Sequence, residues 1–286
     1  MTKLEFLHRT TARLRYNRIW MELLNQTGRV IKNKKWIFIS GCYNSGTTLL
    51  DQILATHPEI SGLPDEGVML TDKLVRPEDF NWRRMWSECE DDIKELAPFD
   101  EKDANRIKKH WSHFYDFKKD FFIEKSISNQ IRLKFFDTNF LPSWFIHIVR
   151  NGYAVAEGIH RKAEVMEENE YYNLGSYPYS LCAKQWVRSL EVFEKEQKRL
   201  QNVITISYEE LAENPSKTIN TILDKIGLER FADDYFDKSF NIHEKQSKIR
   251  NMNASSFNRL KKEDYKAINE IAKETMLNYG YEIREK

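Results

Sequence analysis

The run Trp36-Ile37-Phe38-Ile39-Ser40-Gly41-Cys42-Tyr43-Asn44-Ser45-Gly46-Thr47-Thr48-Leu49-Leu50 constrains the fold more than any other part of the chain. An apolar, β-rich segment meets a short loop bounded by Gly41 and Gly46, after which Leu49, Leu50, Ile53 and Leu54 recur at helical spacing. Strand, tight glycine loop and helix N-terminus in that order form an anion cradle. The N–H groups of the loop converge, and the positive end of the helix backs them. The spacing Gly41-x-x-x-x-Gly46 is that of a nucleoside-triphosphate loop, but the next residue is Thr47 instead of lysine. A cradle without that lysine suits a phosphate ligand other than the β/γ end of ATP.

Three more short apolar runs, Phe121–Ile123, Trp144–Val149 and Val203–Ile206, have the non-amphipathic character of strands buried on both faces. Between and after them lie helical patterns. One covers Ser180–Leu200; another opens at Asn214-Pro215, runs to Ile226 and stops at Gly227; the last extends from Glu263 to Tyr279. Strands alternating with helices predict an α/β chain, a P-loop-like three-layer fold with a central, mostly parallel sheet flanked by helices. Ligands of open parallel sheets bind beyond the carboxyl ends of the strands. The glycine loop, Glu124-Lys125-Ser126, Arg150-Asn151 and Ser207-Tyr208-Glu209 follow the four strands, so one crevice gathers a phosphate loop, a lysine, an arginine and a tyrosine.

The 286 residues are read as one domain: a helical extension over 1–35, a nucleotide-binding core over 36–260 and a C-terminal helix over 261–286. A formal net charge of +1 offers no global attraction for nucleic acid or an anionic membrane, so an anion site must be built locally. Cys42, Cys89 and Cys182 are odd in number and scattered, which fits a reducing compartment better than a disulfide framework. No apolar run approaches a membrane span, and Arg9, Arg13, Arg15 and Arg18 interrupt the apolar residues of the N-terminus, unlike a secretory leader. A cytoplasmic location, most simply in a bacterium, is expected. Apolar residues from Phe6 to Leu24 predict a helix over 5–24 packed on the domain.

The ordered motifs resemble those of the sulfotransferases that use 3'-phosphoadenylyl sulfate (PAPS). Tyr43-Asn44-Ser45-Gly46-Thr47-Thr48, followed by Leu-Leu and His57-Pro58, is similar to the family's Pro-Arg/Lys-Ser-Gly-Thr-Thr loop. The strand Phe145–Val149 ending in Arg150, with Ala154-Val155-Ala156 in the next helix, is similar to its second signature. Glu124-Lys125-Ser126 resembles the Glu-Lys-Ser/Thr element of carbohydrate sulfotransferases, and Tyr208-Glu209-Glu210-Leu211 the Tyr-Glu-x-Leu segment. The resemblance covers residues 36 to about 260.

The resemblance implies that Gly41, Asn44, Ser45, Gly46, Thr47 and Thr48 wrap the 5'-phosphosulfate, and that Arg150 clamps the 3'-phosphate with its planar fork. Lys162, twelve residues on, is a further candidate for that phosphate. Lys245–Lys262 holds six basic residues and no acidic one; here the family folds a basic loop over the nucleotide, so Lys248, Arg250, Ser256 and Arg259 are its candidates. Tyr208 would lie near the adenine or simply end its strand. Glu66 is the implied base for the acceptor proton, with Asp65 its competitor and His110 or His113 a more distant alternative. Two positions depart from the pattern: Asn44 stands where the family has a basic residue, and Gly158 where it has a serine. Lys125 is the candidate to supply the missing charge, and Thr47 to assist it.

The expected reaction moves a sulfuryl group from PAPS to a hydroxyl or amine of a carbohydrate or small-molecule acceptor, without a metal. His110-x-x-His113 has metal-like spacing but no third ligand. The segments 67–120 and 164–186 carry aromatics suited to an acceptor wall, and the acidic stretch Glu88–Asp103 reads as a solvated helix face. A phosphoryl transferase and a PAPS-binding protein without turnover are the rival readings.

Overall fold

The four apolar runs become adjacent strands of one sheet. The structure, a computed structural model, describes residues 2–242 and 245–285. The chain opens with α1 (Lys3–Leu14) and α2 (Arg18–Thr27), enters β1 (Lys35–Gly41) and turns through the glycine loop into α3 (Thr47–Leu54). There follow β2 (Ile60–Gly62), α4 (Glu90–Glu95), α5 (Glu101–Trp111), β3 (Phe121–Lys125), α6 (Leu133–Asn139), β4 (Ser143–Val149) and α7 (Gly152–Lys162). Next come α8 (Tyr179–Gln197), β5 (Val203–Ser207), α9 (Tyr208–Glu213) and α10 (Pro215–Ile226). A hairpin of β6 (Phe240–Ile242) and β7 (Lys245–Ser247) precedes α11 (Asn253–Phe257) and α12 (Lys262–Asn278).

Strand order is β2-β3-β1-β4-β5, with every neighbouring pair parallel. Alternation along the strands sorts the side chains. Ile37, Ile39, Ile123, Ile146 and Ile148 pack on one face with α3 and α10, whereas Trp36, Phe38, Phe122 and Phe145 pack on the other with Trp111, Phe136 and Phe140. The aromatic face interlocks: Phe38 and Phe136 centroids lie 4.7 Å apart, and Phe140 meets Trp36 edge-on at 4.8 Å. Each fully buried ring contributes about 1.5–3 kcal/mol, which fixes the strand ends rigidly.

From β1 the chain first moves to one side of the sheet and then crosses to the other at β4. The helices that leave β1 and β4 therefore cover opposite faces, α3 with the isoleucines and α7 with a cluster containing Tyr153, Val155 and Trp186. Their divergence opens a crevice between the carboxyl ends of two adjacent strands, the binding position of open parallel sheets. Gly41 pairs with Ile148, and Lys125 with Ile39, so the residues beyond these strands stand nearly level.

Several expectations change. The single helix over 5–24 is two helices, because Asn17 caps Trp20 and restarts the chain at Arg18. At the break the buried Arg15 donates to Val68 O at 3.0 Å and to Asp79 at 2.8 Å, locking the extension onto the segment after β2. The C-terminal helix ends at Asn278; beyond it Tyr281 donates to Glu209 at 3.3 Å, and the Arg284 amide donates to Tyr153 Oη at 2.9 Å. The acidic stretch is only partly solvated, since buried Glu90 takes both ends of the Arg188 fork at 2.7 and 2.9 Å. Among the described residues no helix is long and apolar enough to cross a membrane.

Candidate active site

The loop after β1 is an amide nest. Asn44 (φ 61°) and Gly46 (φ 96°) both adopt the left-handed backbone, which turns successive N–H groups inward. Gly46 is also the N-cap of α3 and has no side chain to occupy the first-turn amides. A Cβ on Gly46 would stand 2.7 Å from the Tyr208 ring, so this ring forms the floor beneath the nest. Ser45 is buried, and its Oγ has no hydrogen-bond partner. The hydroxyls of Thr47 and Thr48 make no hydrogen bond to another described residue. A cradle of donors without protein acceptors is built for an anion.

Arg150 turns toward this nest. Its Nη1 donates to the Asn44 carbonyl at 2.7 Å, its Nε donates to Asn253 Oδ1 at 2.8 Å, and its guanidinium carbon lies 4.1 Å from the Tyr208 centroid. Burial lowers the Arg150 pKa from its ordinary value, which raises the worth of any anion that reaches the guanidinium. Nη2 has no partner among the described residues.

The second half of the site lies beyond β3. Lys125 Nζ donates to Glu66 Oε1 at 2.7 Å, bringing together two residues that are 59 positions apart. Burial works against the Lys125 ammonium, but Glu66, Asp51 and Glu124 together outweigh it and raise its pKa. Glu124 and Ser126, on either side of Lys125, hold the segment that carries Glu66. Glu124 accepts from the Gly67 amide at 3.0 Å, Ser126 Oγ accepts from the Val68 amide at 3.2 Å, and Trp111 donates to Gly67 O at 3.0 Å. Asp65 turns instead to His8, at 3.2 Å. The loop thus presents Glu66 to the lysine and Asp65 to the N-terminal helix.

The other sequence candidates divide. Gly158 lies buried beneath Asn44: a Cβ there would be 2.7 Å from Asn44 Cγ, so the glycine makes room for the asparagine side chain. The two departures from the motif are therefore one packing unit, and Asn44 Nδ2 is left buried without a partner. Tyr208 donates to Arg250 O at 3.2 Å and accepts from the Met252 amide at 3.0 Å, which ties the basic loop to the nest floor. The side chains of Lys248 and Arg250 are exposed, and Ser256 is buried. Arg259 faces Glu157 at 3.4 Å and Ser255 at 3.0 Å.

His110 is bonded to Thr71 at 2.9 Å and to Met21 O at 3.0 Å, and His113 to Leu24 O at 2.9 Å. These bonds tie α2 to α5 and the turn after it, and both ring nitrogens of His110 are engaged. Burial pushes His110 down to about 4. Among the described residues no group of His, Cys, Asp and Glu is arranged to hold a metal. Cys42 is buried and its thiol is pushed up to about 12, which makes it unreactive.

Two contributors escaped the sequence reading. Asn253 orients Arg150 and is itself held by Glu209 through a 2.7 Å bond. Asp51, one turn into α3, is pushed up to about 6 by burial and lies in the field of Lys125 and Glu66. Its place four residues after Thr47 is the signal that could have found it.

A family model described as "Sulfotransferase family" matches residues 37–233. The chain belongs to the sulfotransferase family. Comparison with curated proteins finds no match. Among solved structures, this sulfotransferase-family chain is similar to a sulfotransferase from Mycobacterium avium at 11% identity and TM-score 0.55, over 96% of this chain and 83% of that one. It is similar to a sulfotransferase from Mycobacterium tuberculosis H37Rv at 13% identity and TM-score 0.51, covering 92% and 81%. A sulfotransferase domain from the curacin biosynthetic pathway aligns at 17% identity and TM-score 0.50, covering 89% and 100%. At such identities the likeness establishes the fold.

Proposed function

We propose that this sulfotransferase-family protein transfers a sulfuryl group from PAPS to a hydroxyl or amine of a carbohydrate or small-molecule acceptor. The observation that carries the reading is Arg150 standing against the lysine-free amide nest, bonded to Asn44 O at 2.7 Å. A ligand with two separated anionic groups, as PAPS has, can engage both. The nest amides, Ser45, Thr47 and Thr48 receive the 5'-phosphosulfate, and Arg150 receives the 3'-phosphate.

The acceptor enters beside Glu66. Its oxygen or nitrogen forms a bond to sulfur as the bond from sulfur to the bridging oxygen breaks, and Glu66 takes the proton released. The departing adenosine 3',5'-bisphosphate keeps the electron pair of the broken bond, and Lys125 with Thr47 stabilises the charge that develops there. The sulfuryl group carries less charge than a phosphoryl group, so amides, hydroxyls and one lysine suffice.

The test pairs isothermal titration of adenosine 3',5'-bisphosphate against magnesium–ATP with transfer of labelled sulfate from PAPS to an acceptor panel. Preference for the bisphosphate and labelled product support the reading. Magnesium-dependent turnover of ATP would replace it with phosphoryl transfer, and tight bisphosphate binding with no product across the panel would leave a binding protein.

A further inference from the structure

Arg84 lies in the connection between two short turns, Pro77–Phe80 and Trp86–Cys89, within a region read from sequence only as an acceptor-side insertion. Its φ is 62°, a left-handed backbone that a residue with a Cβ seldom adopts. Strain of that kind persists where the surroundings enforce it, and it collects at ligand sites. Here they do: the next two residues, Met85 and Trp86, are fully buried, and Trp82 packs against Tyr177.

The connection is docked beside the end of α7. Arg83 is ion-paired with Glu164, two residues after Lys162, and Asn169 donates to Asn81 O at 2.8 Å. Met85 and Trp86 share their apolar cluster with Tyr43, the neighbour of Asn44. The Arg84 backbone thereby stands beside the end of α7, and its charge acts on Tyr43, next to Asn44, and on Lys162.

The local charges are unbalanced in a specific way. Arg83, Arg161 and Arg259 each have a carboxylate, from Glu164 or Glu157. Arg84, Arg150 and Lys162 form no ion pair with any described residue. The ammonium of Lys162 is held below its ordinary value, first by desolvation and then by Arg161, Arg84 and Arg150, so these cations feel one another. Buried Glu157 offsets only part of this repulsion and is already paired with Arg161 and Arg259, so an anion that joins the three cations relieves the rest. Asn44 Nδ2, buried and without a partner, is a neutral donor at the same place.

We infer that Arg84 is a nucleotide-binding residue, the third cation of a grip on the 3'-phosphate formed with Arg150 and Lys162 and completed by the Asn44 amide. The inference rests on the PAPS reading above and adds to it a residue supplied from outside the sheet.

The test compares adenosine 3',5'-bisphosphate with adenosine 5'-phosphate by isothermal titration on the full chain. R84Q weakens the bisphosphate by about ten- to a hundredfold and leaves the monophosphate within twofold. R84N, which tolerates the left-handed backbone, gives the same selective loss with an unchanged melting temperature, so misfolding does not account for it. Wild-type bisphosphate affinity in both variants overturns the inference, as does an equal loss for both nucleotides. If the unmodified protein does not prefer the bisphosphate at all, the underlying reading fails first, and that outcome is visible before any variant is made.

Discussion

The guanidinium of Arg150 donates through Nη1 to the carbonyl of Asn44 at 2.7 Å while its Nε is held by Asn253 at 2.8 Å. Bonds at Nε and Nη1, on opposite flanks of the group, fix the plane of the fork and leave Nη2 without a partner among the described residues. The arginine is thus oriented before any ligand arrives, which lowers the conformational cost of binding.

R150K keeps the charge but cannot hold Asn253, the Asn44 carbonyl and a phosphate together. The Kd for adenosine 3',5'-bisphosphate is expected to rise about thirtyfold or more. N253A, which frees the fork without removing it, is expected to cost about three- to tenfold. Titration calorimetry on both variants measures this, and an N253A loss larger than that of R150K would contradict the assignment.

Glu66 and Lys125 should separate chemistry from binding. E66Q lowers kcat by about a hundred- to ten-thousandfold, and K125A by about a hundred- to a thousandfold. Bisphosphate affinity of E66Q stays within twofold of the parent. D65N leaves turnover close to normal, since Asp65 faces His8. Steady-state kinetics combined with titration decides the matter; equal effects of D65N and E66Q would remove Glu66 from its role.

The Asn44–Gly158 contact predicts a compensated pair. G158S places a Cβ about 2.8 Å from Asn44 Cβ and is expected to cost about 1–3 kcal/mol of stability. N44G in the same background recovers most of that loss, because glycine keeps the left-handed backbone and removes the clash. A denaturation double-mutant cycle gives the coupling, and additive costs would mean that the two residues do not meet.

Buried Glu124 makes stability depend on pH. Burial raises its carboxyl from 4.5 to about 7, against the opposing bonds from Ser126, Asn129 and the Gly67 amide. Between those values the folded protein keeps a proton that the unfolded chain has released, so this contribution is lost as pH rises. His110, lowered from 6.5 to about 4, acts in the opposite direction: its contribution is lost as pH falls through that interval. The parent profile therefore mixes two opposed slopes. Between pH 5 and 8, E124Q should gain on the parent by up to about 3 kcal/mol. Denaturant melts at the two pH values read the gain, and a constant difference would show that Glu124 does not titrate in this interval.

The sheet was legible because its strands are apolar on both faces and each ends in a residue with distinctive chemistry. Lys125 and Arg150 could be assigned to one crevice from chain order alone. Glu66 was preferred over Asp65 from the sequence, but their partners were not legible, since Glu66 meets Lys125 and Asp65 meets His8 across 59 and 57 positions. Arg84 was hidden for a related reason: its place depends on Arg83 meeting Glu164, 81 positions away. β2, only three residues long, has too little pattern to read, and the β6–β7 hairpin lies partly in a window read for its charge. The break between α1 and α2 is different, because Asn17 is an ordinary capping residue whose signal was overlooked among the apolar spacings.

Glu124 and Ser126 fasten the Gly67–Val68 backbone to the same strand that bears Lys125. Glu66, the proposed proton acceptor, and Lys125 are consequently anchored to the same strand end. Lineages could rebuild the neighbouring insertions to welcome unfamiliar acceptors while the reactive pair keeps its spacing, so diversification of specificity need not begin by rediscovering catalysis.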